Sequence, residues 1–119
     1  LNEEDYQKIE EIINKVGLSE FVKNLDLGIN TLLLDKGLDI SGGQKQKISI
    51  ARALYKDKEI IILDETLSNL DKESKFEILN VLNKFKTTKT IIMISHDEDV
   101  LQYADKILLL KDKKIYYET

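Results

Sequence analysis

The chain has 119 residues, a net charge of −4, no cysteine and one histidine, enough for a single hydrophobic core and no more than one domain. That inventory excludes disulfides, thiolate metal sites, cysteine nucleophiles and a structural zinc centre, and the acidic balance argues against a nucleic-acid partner held by bulk electrostatics. No apolar run is long enough to cross a bilayer or serve as a signal peptide. A start at Leu1 rather than Met is expected of a piece of a longer protein.

Residues 3–16 are predicted as an amphipathic helix, with Tyr6, Ile9, Ile13 and Val16 on one face and Gly17 as its stop. Ser19 is expected to cap a shorter helix carrying Phe21, Val22 and Leu25. From Asp26 to Asp39 the pattern loosens, with Gly28 and Gly37 as turn points. Residues 42–56 read as the next helix, followed by a Lys-Asp-Lys turn.

The pattern then changes. Ile60–Leu63 is a continuous apolar run, as expected of a strand buried on both faces. Ser74–Phe85 is helical, Thr90–Ile94 a second buried strand, Glu98–Tyr103 a short helix and Lys106–Leu110 a third strand. Asp112-Lys113-Lys114 turns into Ile115-Tyr116-Tyr117 as a terminal hairpin. Strands alternating with helices imply parallel pairing with right-handed crossovers, so a helical first half precedes an α/β second half.

Three groups carry chemistry. Asp64 and Glu65 end the first strand, where open α/β sheets bind their ligands. There one carboxylate can hold Mg²⁺ through water while the other deprotonates an attacking water, although an Asp-Glu pair taken alone is more often a strand ending in a solvated acidic turn. His96 follows the second strand at the same edge and is placed to touch a phosphate or orient Glu65. Ser41-Gly42-Gly43-Gln44 opens a helix whose first turn has no acid, and Lys45 and Lys47 add positive charge, so an anion is favoured there. Gly37–Gln44 has the glycine spacing of a P-loop, but Gly43 stands at the required Lys position and Gln44 at the Ser/Thr position, so it is not one.

Taken in order, these segments resemble the C-terminal half of an ABC transporter nucleotide-binding domain, over roughly residues 18–118. Ile40–Gln44 is similar to the signature Leu-Ser-Gly-Gly-Gln, with Ile for Leu; Asp64 matches the Walker B Asp and Glu65 the catalytic Glu. Ser68-Asn69-Leu70-Asp71 is similar to the D-loop, and His96 to the switch His. Thr31–Gly37 is similar to the loop preceding the signature in exporter-type members, with Leu34 for a usual Gly and Asp35 for a usual Glu.

The resemblance implies an α/β fold: the C-terminal part of a RecA-like P-loop NTPase core (residues 57–119) and a remnant of the ABC helical subdomain (residues 1–56), ending in the signature helix. It implies ATP and Mg²⁺ as cofactors. Ser41, Gly42, Gly43 and Gln44 would serve a nucleotide bound in trans, while Asp64 (through Mg²⁺), Glu65 and His96 would serve one bound in cis. Ser68 and Asp71 would lie at the dimer interface. The implied partners are a second nucleotide-binding domain, identical or different, and transmembrane domains that bring this segment to the cytoplasmic face of the cell membrane; no nucleic acid is expected. Walker A, the base-stacking aromatic and the Q-loop Gln are expected upstream of Leu1, so the segment itself is expected to be soluble and inactive alone. A soluble ABC-type ATPase acting on DNA or ribosomes, and a non-catalytic interaction module, stay open at this stage.

Overall fold

Helix α1 (Glu3–Lys15) opens with a capping box: Asn2 Oδ1 accepts from the Asp5 amide at 2.8 Å, and Asp5 Oδ2 accepts from the Asn2 amide at 3.0 Å. It ends where Gly17 predicts. Gly17 takes φ +74°, its amide reaches the Asn14 carbonyl, and the Leu18 amide reaches that of Ile13 at 2.9 Å. This is a Schellman closure, with a left-handed residue that Gly adopts without a Cβ penalty. The computed structural model describes residues 1–31 and 40–118; Leu32–Gly37 of the exporter-like loop and the turn at Gly37–Asp39 lie outside the described residues.

Helix α2 (Ser19–Lys23) corrects one expectation. Ser19 is its first residue and not its cap; Leu18 holds the cap position with no side-chain bond. The Schellman turn delivers Leu18 into the core, where it is buried, and the cap position falls on it, one residue ahead of the serine. A 3₁₀ turn covers Gly28–Asn30. Helix α3 runs Gly42–Tyr55 and packs against α1.

Strand β1 (Ile60–Asp64) pairs in parallel with β2 (Thr90–Ile94), Ile60 opposite Thr90 and Asp64 opposite Ile94. Helix α4 (Lys72–Phe85) connects them and starts two residues earlier than the apolar pattern suggests, because Asp71 caps it by accepting from the Ser74 amide at 3.0 Å. Ile78 and Leu79 of α4 are fully buried, and they share one core with Ile61 and Leu63 of β1, Ile50 and Leu54 of α3, and Ile12 and Val16. The helical and α/β halves therefore share one apolar core.

Two further expectations need correction. The strands are not buried on both faces: Ile61 and Leu63 are covered, but Ile60 and Ile62 are 57% and 64% exposed, and Ile92 and Ile94 about half. Among the described residues a helical layer covers only one side of the sheet. The third strand, β3 (Ile107–Lys111), does not join the parallel pair; after the short helix α5 (Glu98–Leu101) it forms an antiparallel hairpin with β4 (Lys114–Glu118). Asp112 and Lys113 both take positive φ, +51° and +59°, the pattern of a type I′ turn whose twist matches the flanking strands. The hairpin expected at this turn is therefore formed, as a sheet of its own.

Candidate active site

The parallel register carries the chain ends of β1 and β2 to one edge. Beyond Asp64, the Glu65 amide donates to the Ile94 carbonyl at 2.9 Å, extending the ladder by one bond. Glu65 itself is left-handed, φ +53°, which costs a non-glycine residue about 1 kcal/mol. Past this turn its carboxylate faces the imidazole that follows β2: Glu65 Oε1 lies 3.2 Å from His96 Nδ1. An Nδ1–H there donates to the carboxylate and leaves Nε2 free to accept. The His96 side chain is 85% exposed and that of Glu65 43%, so both are open to a ligand approaching the sheet edge.

Asp64 is exposed beside them. The described residues contain no cluster of three or more side chains able to cage a metal. A single hard carboxylate nonetheless fits Mg²⁺, which keeps most of its waters and completes its shell with substrate phosphates.

The segment after Glu65 folds back on it. Ser68 Oγ donates to the Glu65 carbonyl at 2.9 Å, Leu67 is buried, and the Leu70 amide reaches the Leu67 carbonyl at 3.3 Å. This compact turn ends at Asp71, whose carboxyl is held below the usual aspartate range chiefly by the hydrogen bonds it accepts from Ser74.

The Ser41–Gln44 turn forms a second group. Ser41 Oγ accepts from the Gln44 amide at 3.1 Å, and Gln44 Oε1 accepts from the Ser41 amide at 3.0 Å, a reciprocal capping box. Both side chains are thus spent on the helix start, and the Gly42 and Gly43 amides remain the first-turn donors without an intrahelical acceptor. Ser41 and Gly42 are exposed, whereas Gly43 is buried against α4. A Cβ on Gly43 would meet Ser74 Oγ at 2.8 Å, and one on Gly42 would meet Leu70 Cδ2 at 3.2 Å. At Gly43 only glycine allows that approach, whereas at Gly42 the neighbour is the end of a flexible side chain.

The predicted residues accordingly fall into two groups: Glu65, His96, Asp64 and Ser68 at the sheet edge, and Ser41, Gly42, Gly43 and Gln44 against the start of α4, beside Asp71. No hydrogen bond among the described residues joins the two groups directly; the 68–74 segment lies between them.

Sequence reasoning passed over Lys75. Its ammonium bonds Asp97 Oδ2, the residue next to His96, and it is the buried charged residue of the core. The signal was legible: Lys75 sits three residues before Ile78 and four before Leu79, on the apolar stripe of the helix, where a lysine requires a partner.

Residues 2–68 match a model of the family described as ABC transporter. An ATP-dependent lipid A-core flippase of Cupriavidus pinatubonensis is 39% identical over 111 residues, 93% of this chain and 19% of that protein. A putative export ATP-binding/permease protein of Rickettsia typhi is 43% identical over 111 residues, again 93% and 19%. Its counterpart in Rickettsia prowazekii is 44% identical over 106 residues, 89% of this chain and 18% of that protein. The chain thus spans about a fifth of the length of the curated relatives it matches.

Proposed function

The chain belongs to the ABC transporter family, as part of an exporter-type ATP-binding domain, and from that premise we propose that it supplies the hydrolytic edge and the trans-acting turn of a transport ATPase. The observation that carries the reading is the pairing of Glu65 with His96 at 3.2 Å on the edge where Asp64 ends β1.

MgATP supplies the phosphoanhydride. Asp64 would hold the Mg²⁺ that offsets the phosphate charge; Glu65 takes the proton of the water that bonds to the γ-phosphorus as the bond to the departing ADP oxygen breaks, and His96, donating from Nδ1, keeps that carboxylate aimed. The strained φ of Glu65 fits a side chain whose direction is set by its task. Gly42 and Gly43 present their amides to a phosphate held by a second nucleotide-binding domain, packed head to tail, with Ser68 and Asp71 at the interface between the two. In this reading residues 1–56 belong to the helical subdomain and 57–119 to the RecA-like core, and the open isoleucine face of β1 and β2 fits a sheet that a further layer of a larger domain covers. The relatives' names, a flippase and an export permease, support outward transport coupled to hydrolysis, with transmembrane domains placing the segment at the cytoplasmic face. No helix among the described residues is long and apolar enough to cross a membrane itself.

The test is Glu65→Gln in the full-length protein. Turnover should fall by about 10²-fold or more with ATP binding retained; rapid turnover in that variant would refute Glu65 as the base. The 119-residue chain alone should not turn over ATP, and Glu65-dependent hydrolysis by it would refute the division of labour between two domains.

A further inference from the structure

We propose that Lys75 and Asp97 are positioning residues for His96, an ion pair that fixes the turn carrying the imidazole against Glu65. The proposal rests on the reading of Glu65 and His96 as the working pair, and it assigns a task to two residues outside that pair.

The problem it answers is mechanical. The His96 ring is 85% exposed, with Glu65 as its side-chain partner. An exposed side chain with one hydrogen bond has no packing to hold its rotamer, so its aim depends on the backbone beneath it. That backbone is pinned on both sides. Before it, the Ile94 carbonyl accepts from the Glu65 amide at 2.9 Å. After it, Asp97 is held on every polar atom: its amide donates to Ser95 Oγ at 3.1 Å, Oδ1 accepts from the Asp99 amide at 3.0 Å, and Oδ2 accepts from Lys75. Its carbonyl also receives the Val100 amide at 3.0 Å and that of Leu101 at 3.3 Å, starting α5.

Of these bonds, those to Ser95, Asp99, Val100 and Leu101 are local to the turn and move with it. Lys75 is the partner that ties Asp97 itself to another element, helix α4, ahead of the anchors further along the chain: Val100 in the core and Tyr103, whose hydroxyl donates to Asn80 Oδ1 at 3.3 Å. The Lys75 side chain is 11% exposed and that of Asp97 25%, so the pair works where water screens it least. Lys75 holds the Asp97 carboxyl below its usual range, with the Asp99 amide adding to the effect. Removing the pair leaves the residues between the end of β2 and the buried Val100 with no polar tie to α4, so the imidazole is held less firmly against Glu65.

The experiment uses the full-length ATPase with Lys75→Met, Lys75→Arg, Asp97→Asn, the Lys75→Met/Asp97→Asn double variant and Glu65→Gln. Lys75→Met keeps the aliphatic stem, and Asp97→Asn keeps an acceptor for the Asp99 amide. Each should lower kcat by about tenfold or more, the scale of a misplaced catalytic group, with KM for ATP within about twofold of the parent. The double variant should be no worse than either single, since both remove one interaction, and Lys75→Arg should restore turnover. Should Lys75→Met lose the fold, Asp97→Asn carries the same expectation. Parental kcat in Lys75→Met and Asp97→Asn beside a dead Glu65→Gln overturns the proposal while leaving the site intact. A loss in Lys75→Arg as severe as in Lys75→Met also overturns it, assigning the effect to side-chain shape. Full turnover in Glu65→Gln instead overturns the reading of the site, and the proposal with it.

Discussion

The contact between Gly43 and Ser74 gives a quantitative test of how the Ser41–Gln44 turn is seated. In Gly43→Ala the new methyl would lie 2.8 Å from Ser74 Oγ and 3.0 Å from Ser74 Cβ. Ser74 Oγ can leave by changing rotamer, but Cβ is fixed by the backbone of the first turn of α4, whose Ser74 amide is bound by Asp71 at 3.0 Å. Overpacking of this kind costs about 1–3 kcal/mol. Alanine returns part of that, since it is up to about 1 kcal/mol better than glycine inside a helix, and less in a first turn. The net expectation is a loss of about 1–2 kcal/mol.

With no tryptophan in the chain, far-UV circular dichroism during urea unfolding of the 119-residue chain is the suitable assay. At an m-value of about 2 kcal/mol/M the midpoint should drop by about 0.5–1 M. Ser74→Ala removes the nearer atom and leaves the 3.0 Å contact, so in that background part of the loss should return. Gly42→Ala is the control. Its nearest neighbour is Leu70 Cδ2 at 3.2 Å, the mobile end of a side chain, and its midpoint should move by less than about 0.5 M. A Gly43→Ala protein as stable as the parent would refute the steric argument and show that α3 and α4 separate freely.

Two other expectations follow from the caps and the titrating groups. Asp71→Ala should cost about 1 kcal/mol through loss of the α4 cap, and Asp71→Asn only a fraction of that, read from the same urea midpoints; equal losses would assign the effect to charge. The carboxyls of Asp57, Asp71 and Asp97 all lie below the ordinary aspartate value of 3.8, held down chiefly by Lys89, Ser74 and Lys75 respectively. As pH falls, the unfolded chain therefore takes up protons first, so the stability these groups contribute is complete above 3.8 and lost below it. Urea midpoints should fall between about pH 4 and about pH 2, and a flat profile there would contradict the three assignments.

Much of this arrangement was legible in the residues because it depends on local rules. Gly17 at the end of an amphipathic stretch needs a left-handed residue and has one, and Ser41-Gly42-Gly43-Gln44 opens a helix as its residues suggest. The meeting of Glu65 and His96 was readable too, since parallel strands deliver their ends to one edge. What escaped depends on what lies across the strand or helix. Ile60–Leu63 reads as doubly buried because all four residues are apolar, yet cover is a tertiary fact, and the described residues supply it on one side. The terminal hairpin at Asp112-Lys113 was readable, but the third strand was also assigned to the parallel sheet from element order, which does not say which strand edges meet. Glu65 in a left-handed conformation has no sequence signal at all, because its neighbours do not demand it and glycine would be the ordinary choice.

Helix α4 ties these results together, and its geometry follows from the 100° step between successive residues. Ser74 and Glu77, three apart, share a flank turned to α3, where Ser74 meets Gly43 and Glu77 accepts from Lys47 at 2.5 Å. Lys75, one step round, points instead to the His96 turn, and Ile78 and Leu79 bury the remaining side in the core. One helix start thus supports the Ser41–Gln44 turn on one flank and the His96 turn on the other, with Asp71 as its cap. A capped helix with fully buried residues moves as a rigid body rather than bending between adjacent residues, so a push on Gly43 reaches Asp97 through a single turn of backbone. If the two turns serve different nucleotides, as proposed, one physical route between them is the first turn of α4, beside the one through Leu70 and Ser68. Substitutions at Ser74 and Lys75 should then show coupling energies well beyond those of distant pairs.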